Sequence, residues 1–193
     1  MGKKLSREYK MNKDFYNMSA ETQTCLSIIM TILETSHLIE NGDQLSSLIK
    51  KSLYPPLGNR SVGFAKSNNF GFTLEKDLNS HFKPFIVAQI ESKKGVEKLD
   101  EILVNKGLDS ILVGPYDLSA SYDIPGDFKN TKFKSILTKI KNSSKKQKIY
   151  NGYHIVQPSL SALKQKILQG YKLIAYGTDT SFIRNYLDID KIF

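Results

Sequence analysis

The sequence has little of what stabilises secreted chains or anchors membrane proteins. Its 193 residues include one cysteine, Cys25, which excludes an intramolecular disulfide and a zinc site built from several cysteines. The longest apolar run, residues 26–33, is interrupted by Ser27 and Thr31 and is too short to span a bilayer. Beyond Leu5 the N-terminal residues are too polar for the core of a signal peptide. We therefore expect a globular, cytoplasmic protein with no membrane contact.

Acidic residues are scarce relative to basic ones. The chain has 19 Asp and Glu against 28 Lys and Arg, which gives a formal net charge of +9. Lysine doublets such as Lys50-Lys51 and Lys93-Lys94 are spread along the whole chain. Basic charge favours polyanions in general, but no zinc-finger, RNA-recognition or helix-turn-helix signature accompanies it. A basic nucleic-acid-binding α/β protein is kept as an alternative, and nucleic acid is not the expected partner.

Short apolar runs alternate with amphipathic stretches from residue 28 onward, after a polar, irregular lead-in over residues 1–27. The apolar runs predict five strands, at residues 27–33, 84–90, 110–114, 149–156 and 173–176. Apolar spacing predicts helices through Leu38, Leu45, Leu48 and Ile49; Val96, Leu99, Ile102 and Leu103; Phe133, Ile136, Leu137 and Ile140; Leu160, Leu163, Ile167 and Leu168; and from about Ser181 towards Phe193.

This alternation is typical of parallel βα units with both faces of the sheet covered. About five such units over residues 28–193 fit two architectures. One is a partial (β/α)8 TIM barrel, and the other is an open doubly wound sheet. Periodicity alone does not separate them. Residues 54–71, with Pro55, Pro56 and Gly58 at the start, fit neither strand nor helix and predict a shaped loop of the active site or of an oligomer contact.

Two acidic residues follow directly on predicted strands. Glu91 comes after the second predicted strand and Asp117 after the third, 26 residues further on. Successive parallel strands end side by side, so both carboxylates are expected at one mouth of the sheet. Two neighbouring carboxylates repel each other unless a cation lies between them, and an all-oxygen site favours Mg²⁺ or Mn²⁺. The alternative is that both are ordinary acids at helix N-termini, favoured by the helix dipole.

The dipeptide Gly114-Pro115 favours the metal-site interpretation. Proline suits the first position of a helical turn, whose free amides at Tyr116 and Asp117 are placed to hold a substrate carboxylate. A metal beside an anion site is a coherent arrangement for binding a small 2-keto acid.

Three motifs in order resemble one enzyme family. Residues 87–91 (VAQIE) followed by 113–121 (VGPYDLSAS), together with the earlier loop 54–63 (YPPLGNRSVG), resemble the metal-dependent 2-keto acid aldolases of the citrate lyase-like superfamily. That superfamily includes the hydroxy-keto-heptanedioate and 2-keto-3-deoxy sugar-acid aldolases. Residues 152–154 (GYH) and 177–180 (GTDT) lie where the family has its last two strands.

The resemblance implies a site and a reaction. Glu91 and Asp117 correspond to the two metal-ligating carboxylates, and Gln89 to a glutamine near the bound keto acid. The amides of Tyr116 and Asp117 correspond to the substrate-carboxylate pocket. In such enzymes Mg²⁺ or Mn²⁺ chelates pyruvate and stabilises the enolate formed when a carbon–carbon bond breaks. The expected activity is that of a carbon–carbon lyase, which cleaves a 4-hydroxy-2-keto acid to pyruvate and an aldehyde.

The chain also departs from the family pattern. The family's first three βα units carry a catalytic histidine and an arginine, and residues 1–27 are too few for three units. The resemblance therefore assigns no catalytic acid–base residue, and it implies the C-terminal five-eighths of a barrel. A second hypothesis is a catalytically impaired fragment that binds metal and keto acid. Open sheet edges predict a homo-oligomer.

Two further residues receive ordinary interpretations. His154, at the end of the fourth predicted strand, is interpreted as a structural or surface histidine. Asp179 is interpreted as the N-cap of the last helix.

Overall fold

Short strands alternate with helices throughout the described part of the computed structural model, which comprises residues 38–64, 66–79 and 84–187. The elements in chain order are α1 (Gly42–Ser52), a distorted 3-10 segment (Lys66–Gly71), α2 (Leu74–Asn79), β1 (Val87–Ile90), α3 (Lys93–Glu97), α4 (Leu99–Leu103), β2 (Ser110–Val113), α5 (Pro115–Ala120), α6 (Thr131–Lys146), β3 (Tyr150–Ile155), α7 (Leu160–Leu168), β4 (Leu173–Tyr176) and α8 (Asp179–Leu187).

The strand predictions are confirmed wherever the structure describes them. The second to fifth predicted strands correspond to β1, β2, β3 and β4. The first predicted strand, at residues 27–33, and the lead-in over residues 1–27 lie outside the described residues, as do His37 and His81. The last predicted helix begins two residues earlier than expected, at Asp179, and is described as far as Leu187.

The four strands form one sheet in the order β1-β2-β3-β4. β1 and β2 are parallel, with Gln89 beside Leu112 and Ile90 beside Val113. Ala88 and Ile90 are completely buried, whereas Gln89, on the opposite face of the same strand, is partly accessible. Because side chains alternate along a strand, the side chain of Gln89 lies on the same side as that of Glu91, two residues further on.

The described residues between 38 and 152 form one compact unit, and its helices bury apolar stripes. The stripe of α6 is typical: Phe133, Ile136 and Ile140 are buried at helical spacing, and Ser144 continues the same face. Asn130 begins this helix by accepting a hydrogen bond from Lys132 N through its side chain. The buried stripes hold the strands in place, and so they fix the positions of the residues that follow β1 and β2.

The described part of the other unit is residues 153–187. Its buried side chains include Tyr153 from β3, Tyr171, and Leu173 and Ile174 from β4. The Tyr153 and Tyr171 rings meet edge to face, with centroids 5.4 Å apart. These residues belong to the buried part of this unit, to which α7 contributes no buried side chain.

Two predictions about helices are wrong in detail. Leu38 is not on the face of α1, because Asn41 caps that helix by accepting from Gln44 N and the helix begins at Gly42. Leu38 instead has a left-handed backbone, with φ of 47°. The single helix predicted from Val96 to Leu103 is divided into α3 and α4, because Lys98 departs from helical geometry with ψ of 14°.

None of the helices in the described ranges combines the length and apolar character that a membrane span requires.

Candidate active site

The Glu91 carboxylate is held from two sides at the carboxyl end of β1. Its Oε1 accepts a hydrogen bond from Leu38 N at 3.1 Å. Its Oε2 accepts a hydrogen bond from Gln89 Nε2. A carboxylate oxygen has two lone pairs, so each oxygen can still coordinate a cation after accepting one hydrogen bond. The two hydrogen bonds therefore orient the carboxylate and leave a lone pair on each oxygen for a cation.

Gly114 makes room for this carboxylate. It follows β2 directly and lies beside the end of β1, where its N–H donates to Ile90 O at 3.2 Å. A Cβ added at Gly114 would lie 2.9 Å from Glu91 Oε2 and 3.1 Å from Gln89 Nε2, which is too close for ordinary contact. A side chain at this position would displace the ends of the Glu91 and Gln89 side chains from their present arrangement. We call Gln89, Glu91 and Gly114 the carboxylate cradle.

The helix that follows Gly114 begins without a side-chain cap. Pro115 occupies its first turn, and the first backbone bond runs from Leu118 N to Gly114 O at 3.0 Å. Asp117 is in the same turn and is exposed. Tyr116 is 43% exposed and packs edge to face on Phe128, with ring centroids 5.0 Å apart. The amides of Tyr116 and Asp117 are thus at a helix start, where N–H groups point outward.

The structure brings the predicted residues of this site into one unit. Gln89 and Glu91 end β1, and Tyr116 and Asp117 follow the neighbouring strand β2. Their roles in binding metal and substrate stay predictions. Two carboxylates suit Mg²⁺ or Mn²⁺, because such ions are commonly bound by one or two carboxylates and keep several water ligands. The described residues contain no group of three or more His, Cys, Asp or Glu that could form a closed metal site.

A second set of contacts beside the cradle was missed by the sequence analysis. Glu40 Oε2 pairs with Lys94 Nζ at 2.9 Å, and Glu40 Oε1 accepts from Ser92 Oγ at 3.2 Å. The hydrogen bond from Lys94 lowers the pKa of the Glu40 carboxyl. Ser92 and Lys94 follow Glu91 closely in sequence, but Glu40 lies more than fifty residues earlier. No local signal in the sequence predicts that pairing.

The loop over residues 54–60 folds back on the end of α1. Asn59 N donates to Lys50 O at 2.8 Å and Arg60 N donates to Leu53 O at 2.9 Å. The Arg60 guanidinium stacks on the Tyr54 ring, 4.8 Å from its centroid. A shaped loop is confirmed here, while its role in a site or in an oligomer stays a prediction.

In the unit of residues 153–187, His154 lies close to the backbone after β4. Its Nε2 is 3.5 Å from Gly177 O, and burial lowers its pKa, with the Gly177 contact acting in the opposite direction. Thr178 caps α8 by accepting from Ser181 N at 3.1 Å, so the prediction that Asp179 is the N-cap is wrong. Asp179 is instead the first residue of the helix.

Lys166 in the same unit lies against two aromatic rings. Its Nζ is 3.5 Å from the centroid of the Tyr153 ring and 5.3 Å from that of Tyr171. Burial lowers the pKa of Lys166 from 10.5 to about 8 and raises that of Tyr171 from 10.0 to about 12. This amine therefore loses its proton more easily in the folded chain than in the unfolded chain.

We expect the free energy of unfolding to rise with pH between about 8 and 10. In that window the unfolded chain keeps the Lys166 proton while the folded chain has lost it, and stability rises with pH wherever the unfolded state binds more protons. Above about pH 10 the raised pKa of Tyr171 reverses the trend. Urea unfolding at several pH values measures the profile. Lys166→Met should remove the rise and Lys164→Met, a change at an exposed site on the same helix, should keep it; an unchanged rise in Lys166→Met would contradict the assignment.

Fold and cradle together define an α/β chain with an acidic site at the carboxyl ends of parallel strands. A family model described as HpcH/HpaI aldolase/citrate lyase matches residues 37–185. A 2-keto-3-deoxy-L-rhamnonate aldolase of Escherichia coli O1:K1 / APEC is 29% identical over 154 residues, which are 78% of this chain and 57% of that protein.

Two solved structures share the fold. The HpcH/HpaI aldolase from Desulfitobacterium hafniense DCB-2 superposes with a TM-score of 0.67 at 24% identity, over 80% of this chain and 61% of that one. An HpcH/HpaI aldolase/citrate lyase family protein from Burkholderia cenocepacia J2315 gives a TM-score of 0.68 at 24% identity, over 80% and 62%.

The chain belongs to the HpcH/HpaI aldolase/citrate lyase family. The resemblance based on its three motifs is confirmed, and so is the partial barrel rather than the open doubly wound sheet. The chain spans 57% of the length of the curated relative that it matches.

Proposed function

We propose that this chain contributes a metal-dependent aldolase site that cleaves a 4-hydroxy-2-keto acid to pyruvate and an aldehyde. The observation that carries the proposal is the carboxylate cradle. Gln89 and the neighbouring Leu38 N–H orient the Glu91 carboxylate, and Gly114 leaves it space. Membership of the aldolase/citrate lyase family supports the same class of chemistry.

Each residue has a definite task in this proposal. Glu91 and Asp117 would hold Mg²⁺ or Mn²⁺, and Gln89 fixes the Glu91 carboxylate through its amide. When bound, the ion would act as a Lewis acid that stabilises negative charge developing on the keto oxygen of the substrate. The N–H groups of Tyr116 and Asp117, at the uncapped start of α5, would bind the substrate carboxylate.

The second candidate is a site that binds metal and keto acid without efficient turnover. Aldol cleavage needs a base for the 4-hydroxyl proton and a cation for the developing oxyanion. Among the described residues of the unit that contains the cradle there is no histidine, and its arginine, Arg60, is stacked on Tyr54. None of these described residues is assigned as the base, and this is the observation that supports the second candidate.

Calorimetric titration with Mn²⁺ tests the binding step that both candidates share. We expect weak binding of Mn²⁺ alone and tighter binding with pyruvate or oxalate, because two adjacent oxygens of such ligands chelate an ion that has only two carboxylate ligands from the protein. Mn²⁺ binding that is absent, or that oxalate leaves unchanged, would contradict the proposed site.

The partners of this chain, the keto acid included, are proposals. Self-association is supported by Phe64, Phe70 and Phe72, which are 76%, 66% and 89% exposed in one segment, since monomeric proteins rarely expose large apolar patches. Nucleic acid is not proposed as a partner.

A further inference from the structure

Leu38 has an unusual backbone at the point where it contacts the cradle. Its φ of 47° lies in the left-handed region, which costs free energy for a residue with a branched side chain. In this conformation Leu38 donates its N–H to Glu91 Oε1 at 3.1 Å. Strained backbone persists only where the surrounding structure holds it, and it is concentrated at functional sites.

The surrounding structure holds residues 38–41 on α3. We call these four residues the clip. Ile39 is 4% exposed and anchors it in the core. Glu40 binds Lys94 Nζ at 2.9 Å and Ser92 Oγ at 3.2 Å, while Asn41 caps α1.

Gly95 allows the clip to lie directly on α3. A Cβ added at Gly95 would lie 2.9 Å from Ile39 O, closer than real Cβ atoms approach a carbonyl oxygen. Gly95 is itself buried within α3, where glycine weakens the helix relative to alanine. The chain therefore has a poor helix former at the place where the clip touches the helix.

We propose that the clip is a positioning element for the Glu91 carboxylate, in which the Glu40–Lys94 pair keeps the Leu38 N–H aimed at Glu91 Oε1. This inference rests on the proposed function, because it gives the clip its role through the metal site. Glu91, Ser92 and Lys94 are neighbours in sequence. The clip therefore contacts the segment after β1 at two points. Leu38 binds Glu91, and Glu40 binds Ser92 and Lys94.

The test uses the full chain and breaks the pair from the lysine side. In Lys94→Met we expect faster amide hydrogen exchange at Leu38 in the metal-free protein, read by NMR, because the clip no longer holds the Leu38 N–H against its acceptor, Glu91 Oε1. Partners that orient a metal ligand typically contribute 10- to 100-fold in metal affinity, and the pair acts one bond further away, so Mn²⁺ should bind about 3- to 10-fold more weakly. Lys94→Arg should restore both quantities, and Lys93→Met, a change at the exposed neighbour, should alter neither.

Gly95→Ala disrupts the clip by a different route. The added methyl group should displace Ile39 O, speed exchange at Leu38 and weaken Mn²⁺ binding, even though alanine is a better helix former than glycine. A loss of Mn²⁺ binding caused merely by unfolding would be accompanied by lost helix signal in circular dichroism, and we expect that signal to be kept.

The outcomes separate the clip from the site. Suppose that Leu38 exchange and Mn²⁺ affinity are unchanged in both Lys94→Met and Gly95→Ala, while Glu91→Gln abolishes Mn²⁺ binding. The positioning role of the clip is then wrong, and the proposed function stands. If Leu38 exchange rises but the wild-type chain binds no Mn²⁺, the proposed function is wrong and the metal-positioning role fails with it.

Discussion

Replacing Asp117 by asparagine is expected to abolish Mn²⁺ binding and its tightening by oxalate. The amide would keep the shape of the side chain but lose the charge that balances the ion, and Mg²⁺ or Mn²⁺ sites of this kind depend on one or two carboxylates. Titration calorimetry of the wild-type and variant chains measures the loss. Glu91→Gln should have the same effect, since it removes the other charge.

The matched control is Asp100→Asn. Asp100 is an exposed acid in the first turn of α4, as Asp117 is in the first turn of α5, so both substitutions remove one charge from a similar position relative to a helix dipole. An acid there contributes about 0.3–1 kcal/mol to helix stability whatever else it does. If Asp117→Asn and Asp100→Asn behave alike, with a small loss of stability and unchanged Mn²⁺ uptake, then Asp117 is an ordinary helix acid and the metal site is wrong.

The 193-residue chain is expected to decarboxylate oxaloacetate far better than it cleaves a 4-hydroxy-2-keto acid. Retro-aldol cleavage depends on a positioned base, which typically contributes about 10²–10⁴-fold in rate. It also depends on a donor at the oxyanion, which contributes about 10²–10³-fold. The resemblance assigns neither group to this chain. Decarboxylation assisted by a metal needs both less strictly, so it should persist when the metal site does.

Both reactions are measured on the same preparation, with and without Mn²⁺, and with Glu91→Gln as the background. Decarboxylation that needs Mn²⁺ and is lost in Glu91→Gln is the expected result. Efficient retro-aldol turnover would contradict this prediction. The base would then be another residue of this chain, and His154→Gln would be the first variant to measure.

The strands were predictable because their sequence signal is local. β1 and β2 are short, nearly continuous apolar runs, which is what burial on both faces of a parallel sheet requires. The placement of Glu91 and Asp117 after those runs follows from the same signal, since parallel strands end side by side. The sequence places Gly114 at the end of a predicted strand, but the physical reason for glycine there, the approach of Glu91 Oε2, is a contact between residues that follow two different strands.

The surroundings of Glu91 could not be predicted in the same way. Leu38 fits a helical face by spacing, but its backbone is left-handed, and its N–H binds Glu91 in a segment far along the chain. The division of the predicted helix at Lys98 is also invisible to periodicity, because Val96, Leu99 and Ile102 stay buried on either side of it. Hydrophobic spacing predicts which residues are buried, but it does not predict hydrogen bonds between polar groups that are far apart in sequence.

The sequence distance between Leu38 and Glu91 bears on how the chain folds. Their hydrogen bond joins residues 53 positions apart, whereas Ile86 N reaches Asp109 Oδ2 beside the β1–β2 pair over 23 positions. Closing a longer loop costs more chain entropy, and contacts of high sequence separation tend to form slowly. During refolding, the strand pair should therefore form before the Glu91 carboxylate reaches its final orientation. Metal binding would then be recovered late in refolding, after the helices and strands have already formed.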